Sequence, residues 1–310
     1  MEYAEPRHYV VPRLARAPVI TGLADDSVWE DVPWSHSFVD IEGEGAGAPL
    51  YETRFKLAWD DKYLYLAAVL EEPHIWATYT EHDSIVFHEN DFEMFVSPTG
   101  DNHHYYEWEV NALGTTFDLF MARPYLADCR NDNSWEIPGL LLEIAHDGTV
   151  NDPSDTDRGW MLEAAFPWDT FDRHPGLRKP AVGDRWRMNF SRVQWDLEVE
   201  NGQYVKKPET AEHNWVWSPQ GVIDMHRPWK WGYVQFAKDL SDTVIQDPDW
   251  KAKQVLGDWF VSEVAGRKSE FGSIDWYALG IEVVGKFEAK CRGESGCLWQ
   301  ISSDSLLKQL

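Results

Sequence analysis

The chain has 310 residues, 43% of them hydrophobic and 14% aromatic, which is enough to bury a core larger than one small domain needs. It carries 53 acidic and 28 basic residues, for a formal net charge of -25. Because this charge repels polyanions, DNA, RNA and acidic membrane surfaces are poor candidate partners. The composition fits neutral sugars, cationic ligands or Ca²⁺, and it fits simple solubility equally well.

Neither a membrane span nor a signal peptide is evident. No segment approaches the roughly 18 to 20 apolar residues of a spanning helix, and the opening MEYAEPRHYVVPRL lacks an apolar stretch. The protein is therefore expected to be either intracellular or exported with its leader removed. Cys291 and Cys297 flank a glycine-containing turn, so they form either a disulfide or free thiols, whereas Cys129 has no evident partner.

Strand-like segments dominate the first 240 residues and are separated by turn sequences such as WDDKY, SPTGDN and AVGDR. Asp25–Val32 is the first helix-like segment and would have only about two turns. Short strands without alternating helices favour a sandwich or jelly roll. The predicted strands are Arg54–Trp59, Tyr63–Leu70, Asp91–Val96, Tyr105–Asn111, Leu140–His146, Trp160–Phe166, Trp186–Val193 and Gly232–Phe236.

A cluster of carboxylates is predicted on one sheet face. In the strand Tyr105–Asn111, apolar positions alternate with Glu107, Glu109 and Asn111, and the segment DFEMF supplies Glu93 for a neighbouring strand. Such carboxylates could serve as general acid and nucleophile of a glycosidase, bind a cation, or accept hydrogen bonds from sugar hydroxyls.

The pattern changes after residue 240. Asp247–Glu263 predicts a helix over about 248–263, and strand-like segments follow at Gly280–Ala289 and Cys297–Ser302. We therefore predict a main domain over residues 1–240 and a small α+β unit over 241–310. This unit either covers a sheet edge or mediates assembly, and the oligomeric state stays open.

The loop NDPSDTDRGW is the candidate metal site. It brings Asp152, Asp155 and Asp157 together among small polar residues, which suits Ca²⁺, although it lacks the glycine and terminal glutamate of an EF-hand. A solvated turn is the alternative.

Several ordered blocks of sequence resemble a family 9 carbohydrate-binding module, over about residues 16 to 237. The first are Ile20–Trp34, Phe55–Pro73 and Asn90–Pro98. The order continues with Gly159–Trp168, Val182–Val193, Trp217–Gly221 and Trp231–Phe236.

The resemblance implies an all-β fold, an antiparallel two-sheet β-sandwich of the family 9 and DOMON-like type. It also implies non-catalytic binding of an oligo- or polysaccharide through a concave face that is acidic and edged by aromatic residues. Structural calcium, a secreted or periplasmic location and a role in glycan degradation follow from the same resemblance.

The resemblance also assigns ligand-binding residues. The family's binding Glu and Asn fall at Glu93 and Asn111, while a family Arg becomes Glu109 and a family Gln becomes Ser191. The best-understood members, attached to xylanases, clamp the reducing end of a sugar between two tryptophans. Here those positions are filled by Phe87 and Met225, so a clamp of that type is not expected.

Aromatic side chains near Met225 offer another platform. His226 and Trp229 follow it in a proline-containing loop, and Trp229 is predicted to stack on a ligand. Related sandwiches in some electron-transfer proteins hold haem, so Met225 or His226 with Met94 or His88 is a second reading. An interaction or structural module is a third. The predicted ligand-binding residues are Phe87, Glu93, Glu109, Asn111, Ser191, Met225, His226 and Trp229.

Overall fold

The computed structural model describes residues 3–100, 102–127, 131–173, 177–264, 281–285 and 288–291. Strands dominate this part of the chain. They are β1 (His8–Pro12), β2 (Val39–Asp40), β3 (Thr53–Trp59), β4 (Tyr63–Glu71), β5 (Asp91–Ser97), β6 (Tyr105–Asn111), β7 (Thr116–Met121), β8 (Asn131–Asp132), β9 (Leu141–Asp147), β10 (Gly159–Pro167), β11 (Arg185–Gln194), β12 (Leu197–Glu200), β13 (Gln203–Lys206), β14 (His213–Val216), β15 (Gly232–Ala237), β16 (Ile281–Gly285) and β17 (Glu288–Cys291). The α-helix α1 spans Trp250–Val264.

Two sheets pack face to face. Within the described residues, the larger sheet has nine strands in the order β1-β15-β11-β5-β6-β7-β8, with β14 beside β11 and β2 beside β14. The smaller sheet has the order β3-β4-β10-β9. The predicted β-sandwich is therefore confirmed. Its strands pair antiparallel except for β1, which runs parallel to β15 and closes that edge.

Alternating side chains from both sheets form the main core. Phe92, Met94 and Trp108 of the larger sheet meet Phe55 and Trp160 of the smaller one, and all five are at most 2% exposed. Because successive side chains of a strand point to opposite faces, this packing fixes which residues lie on the outer face of the larger sheet.

The eight strands predicted in the first 240 residues are confirmed to within one residue at each end. The strands that were not predicted in this region are β1, β2, β7, β8, β12, β13 and β14. The helix predicted over Asp25–Val32 is reduced to the 3₁₀ turn Ser27–Trp29. The reason is tertiary: buried Glu163 accepts hydrogen bonds from the Trp29 indole and from the backbone of Thr21 and Gly22, which anchors the segment against the smaller sheet.

The C-terminal helix is present, but it begins at Trp250, two residues later than predicted. Gly257 lies against the ring of Trp229, and a β-carbon there would come within 2.3 Å of that ring. Phe260 packs on the same ring. The glycine within the helix is thus explained by close packing on the sandwich.

The hairpin β16–β17 replaces the single strand predicted over Gly280–Ala289. The predicted strand Cys297–Ser302 lies outside the described residues, as do Cys129 and Cys297. The predicted boundary between domains at residue 240 stays a prediction. In the part that it describes, no helix has the length and apolar character that crossing a membrane requires.

A buried ion pair ties the two sheets together. Arg192 of β11 donates to the Glu72 carboxylate at 2.9 Å, and both side chains are at most 2% exposed. The same guanidinium donates to Thr53 Oγ1 of β3 and to the carbonyl of Glu71. Because both partners are desolvated, removing one leaves the other as an uncompensated buried charge.

Replacing Arg192 with Met is therefore expected to lower the free energy of unfolding by about 3 to 5 kcal/mol in urea denaturation. The matched control is Arg158→Met. Arg158 pairs with Asp147 on the surface, where the two side chains are 82% and 46% exposed. Its loss should stay within about 1 kcal/mol. Equal losses in the two variants would contradict the structural role given to Arg192.

Candidate functional site

The outer face of the larger sheet carries a row of side chains from four adjacent strands. Ser191 of β11 lies opposite Glu93 of β5, which lies opposite Glu109 of β6, which lies opposite Phe117 of β7. In the next row, Phe95 of β5 lies opposite Glu107 of β6. The strand alternation that buries the core thus places carboxylates side by side on this face.

A groove of about 860 Å³ lies over these rows. Its floor includes the Glu93, Glu107 and Glu109 carboxylates, and its walls come from loops. The walls and apolar floor are formed by Ile41, Asp83, Ile85, Phe87, Phe95, Phe117, Leu119, Tyr125, Leu126, Asn131, Asn133, Val193, Glu212, Asn214, Val222, Ile223, Asp224, Met225, His226 and Arg227. The volume is in the range of small-molecule sites.

The floor carboxylates are buried without a matching cation beside them. Asp91, Glu93, Glu107 and Glu109 are each at most 5% exposed. Among the described residues that line the groove, Arg227 is the one with a permanent positive charge, and it already pairs with Asp224 and Asp258. Like charges directly opposite each other on neighbouring strands are destabilising, so Glu93 and Glu109 repel when both are ionised.

Burial and mutual repulsion raise the pKa of every carboxyl group in this cluster. Burial raises the pKa of Glu93 to about 7, and burial with the charge of Glu93 raises the pKa of Glu107 to about 8. Burial, and then the charge of Glu93, also holds the pKa of Asp91 and of Glu109 well above the ordinary range. The floor therefore holds protons near neutral pH or takes up a cation.

Most of the predicted ligand-binding residues meet at this groove. Glu93 and Glu109 form its floor, with buried Ser191 beside Glu93. Phe87 stands at the rim and is 40% exposed, while Met225 is only 8% exposed.

His226 also lines the groove. Its Nδ1 lies 2.9 Å from the Tyr105 hydroxyl, and its ring meets that of Tyr125 edge-on with centroids 4.2 Å apart. Desolvation lowers the pKa of His226 to about 3, so its imidazole is neutral at pH 7.

Asn111 is not placed on the groove surface. Its side chain is fully buried, donates to the carbonyl of Tyr79 at 2.9 Å, and accepts from the backbone N–H groups of Leu113 and Thr115 at 3.0 Å. With these bonds Asn111 holds the turn after β6, and it does not line the space in which a ligand would lie.

The predicted stacking role of Trp229 is corrected by its position. The side chain is 1% exposed and lies beneath α1, where its indole N–H donates to Asp258 at 2.9 Å. Phe260 and Gly257 cover the ring. The position of the C-terminal helix on the sandwich could not be predicted from the sequence alone. The helix covers the ring of Trp229, which was expected to contact a ligand.

The haem reading loses both ligand pairs that include Met94. Met94 lies in the core between the sheets, on the face opposite the groove. Met94 therefore cannot bind the same haem iron as Met225 or His226, which line the groove on the other side of the sheet.

The candidate metal loop uses its carboxylates internally. Asp157 accepts from the N–H groups of Thr149 and Ile75, Asp155 from the Thr149 hydroxyl, and Asp152 from the N–H of Ser154. Asp152, Asp155 and Asp157 do not converge on one point.

Among the described residues, two other groups have side-chain donor atoms close enough to share a cation. One is Asp91, Glu93 and Glu109, and the other is His82, Asp118 and Glu136.

Several groove residues escaped the sequence analysis. Asp91 lies two positions before Glu93 in β5, so the same alternation that selected Glu93 would have selected it. Tyr125, which is 46% exposed on the groove wall, begins the 3₁₀ turn Tyr125–Ala127 in the connection after β7. Only the tertiary structure brings that loop to β5 and β6.

The raised pKa values predict that stability falls as the pH rises. The ordinary pKa of a Glu carboxyl is about 4.5, and in the folded protein Glu93 and Glu107 have pKa values of about 7 and about 8. Between these values the folded protein keeps protons that the unfolded chain releases. The stabilisation that the protons give is therefore lost progressively as the pH rises to about 8. In buffer free of divalent cations, Glu109→Gln should reduce the loss of stability between pH 5 and pH 8.5, because burial and the charge of Glu93 raise the pKa of Glu109.

The measurement is urea denaturation at both pH values, and the control is Glu143→Gln on the exposed side of β9. An unchanged difference in the Glu109 variant would show that the floor carboxylates are ionised in the folded protein at both pH values.

Comparisons with known proteins agree with this fold. A search of curated proteins finds no match. The chain is similar to a candidate carbohydrate-binding protein from Bacteroides uniformis ATCC 8492, with 19% identity and a TM-score of 0.54, over 75% of this chain and 100% of that one.

Two further structures are of a family 9 carbohydrate-binding module from Caldicellulosiruptor kristjanssonii. One is in complex with cellotriose, with 15% identity, a TM-score of 0.48, and coverage of 79% of this chain and 100% of that one. The other is in complex with glucose, with 17% identity, a TM-score of 0.48, and coverage of 77% and 100%.

The family model described as carbohydrate family 9 binding domain-like matches residues 20–216, which is more than half of the chain and spans β2 to β14. These residues contain the smaller sheet, the larger sheet except for β1 and β15, and the carboxylate floor of the groove, and the chain belongs to this family.

Proposed function

We propose that the chain binds a saccharide, without turning it over, in the groove above Glu93 and Glu109. The observation that carries this proposal is the combination of a carboxylate floor with exposed aromatic faces at the rim. A pyranose ring needs both, because its hydroxyls seek hydrogen-bond acceptors while its C–H faces pack on aromatic rings. Membership in a carbohydrate-binding family supports the same conclusion.

The aromatic contacts of this groove differ from a clamp of two tryptophans. Met225 fills one clamp position and is nearly buried, and no tryptophan appears among the described lining residues. Phe87 and Tyr125 are the exposed aromatic side chains of the lining, at 40% and 46%. We infer that these two rings take over the stacking role.

The carboxyl groups on the groove floor then select the saccharide through hydrogen bonds to its hydroxyls. Ionised carboxylates accept hydrogen bonds from hydroxyls and bind them more strongly than neutral acceptors do. Because a protonated carboxyl group also donates, the floor can match hydroxyls in either role near neutral pH. Its ligand is therefore proposed to be an oligo- or polysaccharide that presents adjacent hydroxyls to Glu93 and Glu109.

Domains of this family are typically extracellular or secreted. On that basis we propose that the protein acts outside the cytoplasm, in the recognition of a glycan that is being degraded.

Binding is tested by calorimetric titration of glucose and cellotriose, the sugars bound by the two Caldicellulosiruptor modules. Glycan-array screening extends the test to other saccharides. Phe87→Ala and Tyr125→Ala should each weaken binding about tenfold, equivalent to about 1.4 kcal/mol of lost stacking. Glu93→Gln should cost about 10- to 100-fold, because hydrogen bonds to a charged group contribute about 1.5 to 3 kcal/mol.

Leu141→Ala is the matched control for the aromatic variants, because Leu141 is 47% exposed on β9, on the other sheet. Its affinity should equal that of the unaltered protein. Equal affinity in the Phe87, Tyr125 and Glu93 variants would place the ligand elsewhere. Release of reducing sugar that disappears in the Glu93 variant would identify the groove as a glycosidase site instead.

A further inference from the structure

The carboxyl groups of Asp91, Glu93 and Glu109 form a compact set of oxygen donors. One carboxyl oxygen from each lies within 4.8 Å of those of the other two. Oxygen ligands bind Ca²⁺ at about 2.3 to 2.6 Å, so two ligands on opposite sides of one ion are about 5 Å apart. The spacing of the three carboxylates therefore fits a single shared ion.

Two oxygens of this set are buried and have no hydrogen-bond partner. They are Oδ2 of Asp91 and Oε2 of Glu109. Asp91 is fully buried, and Glu109 is 1% exposed. A buried acceptor without a partner destabilises the folded protein, and it does so more strongly when it is charged. The protein offers Glu109 a partner through a proton shared with Glu107. Once these carboxyl groups are ionised, the buried oxygens require a ligand from outside the protein.

The basic side chains nearest this face are already engaged. Arg192 lies on the opposite face of β11 with Glu72, and Arg227 pairs with Asp224 and Asp258. Arg187 of β11 donates to the carbonyl groups of Trp229 and Trp231. These three arginines are therefore not free to neutralise the carboxylates, whose charge is relieved either by protons or by a bound cation.

We propose that Asp91, Glu93 and Glu109 bind one Ca²⁺ ion at the floor of the groove, and that this ion contacts hydroxyls of the bound saccharide. The donor set is made of carboxylate oxygens, which are the ligands of hard cations. Three carboxylates fill up to six coordination positions, so Ca²⁺, with six to eight ligands, keeps positions open toward the groove when some of them bind through one oxygen.

The position of the ion links it to the ligand. Glu93 and Glu109 line the groove, whereas Asp91 lies two residues before Glu93 on the same face of β5, is fully buried, and accepts from the N–H of Val193 at 3.1 Å. The ion would therefore have a buried carboxylate on one side and the open groove on the other. The second part of the inference rests on the proposed function, since it requires that a saccharide occupies the groove.

The first experiment is calorimetric titration of CaCl₂ into the full chain after removal of metal with EDTA. We expect a site that is weakened at least about tenfold in Glu109→Gln and in Asp91→Asn, because each change removes one charged ligand. Both substitutions keep side-chain size and reduce repulsion within a buried cluster, so the variants should fold. Circular dichroism verifies this.

Glu136→Gln is the matched control, because Glu136 belongs to the other donor group, with His82 and Asp118. It should leave the Ca²⁺ site unchanged. The proposal is overturned if the unaltered protein binds no Ca²⁺, or if the Glu136 variant loses the site while the Glu109 and Asp91 variants keep it.

The second experiment repeats the saccharide titrations with Ca²⁺ and with EDTA. We expect affinity to fall at least about tenfold in EDTA, and the Glu109→Gln variant to be insensitive to Ca²⁺. Equal affinity in both conditions would refute the bridging ion while leaving the proposed function intact. Ca²⁺ binding without saccharide binding in either condition would refute the proposed function and leave the cation site standing.

Discussion

The packing of the two sheets on each other is the constraint on which the rest of the molecule depends. Phe92, Met94 and Trp108 must face the core, and a shift of one residue would expose them. Since strand residues alternate, the same register forces Glu93 and Glu109 onto the outer face, directly opposite each other. The binding surface is therefore fixed by the hydrophobic core beneath it, with Arg192 and Glu72 joining the sheets at one end.

The outer face of the larger sheet destabilises the free protein, and packing of the core does not require the residues that cause this. Four buried carboxyl groups with raised pKa values weaken the free protein, because ionising them together is opposed by burial and by mutual repulsion. A surface evolved only for stability would place apolar or oppositely charged residues there. The same groups become favourable when protons, a cation or ligand hydroxyls occupy the groove, which connects the local instability of the face to binding.

The sequence resemblance predicts that the chain departs from the best-understood members of its family at the positions that would hold a ligand. It assigns Glu109 to the position of a family arginine, and Phe87 and Met225 to the positions of two clamp tryptophans. In the structure, the one permanent cation among the described lining residues, Arg227, already pairs with two aspartates. Phe87 and Tyr125 are the exposed aromatic side chains of the lining, and we propose that they stack on the ligand.

Strand alternation is a local pattern that needs no knowledge of neighbouring segments, so the sequence alone predicts the sandwich, eight of the strands in its two sheets, and Glu93 and Glu109 on one face. Which side chains are accessible depends on tertiary contacts. The fold buries Trp229 beneath α1, uses Asn111 to hold a turn, engages Asp157 and its neighbouring aspartates in hydrogen bonds to nearby N–H and hydroxyl groups, and brings Tyr125 to the groove. Burial and loop position depend on contacts between segments far apart in the chain, and no local pattern encodes them.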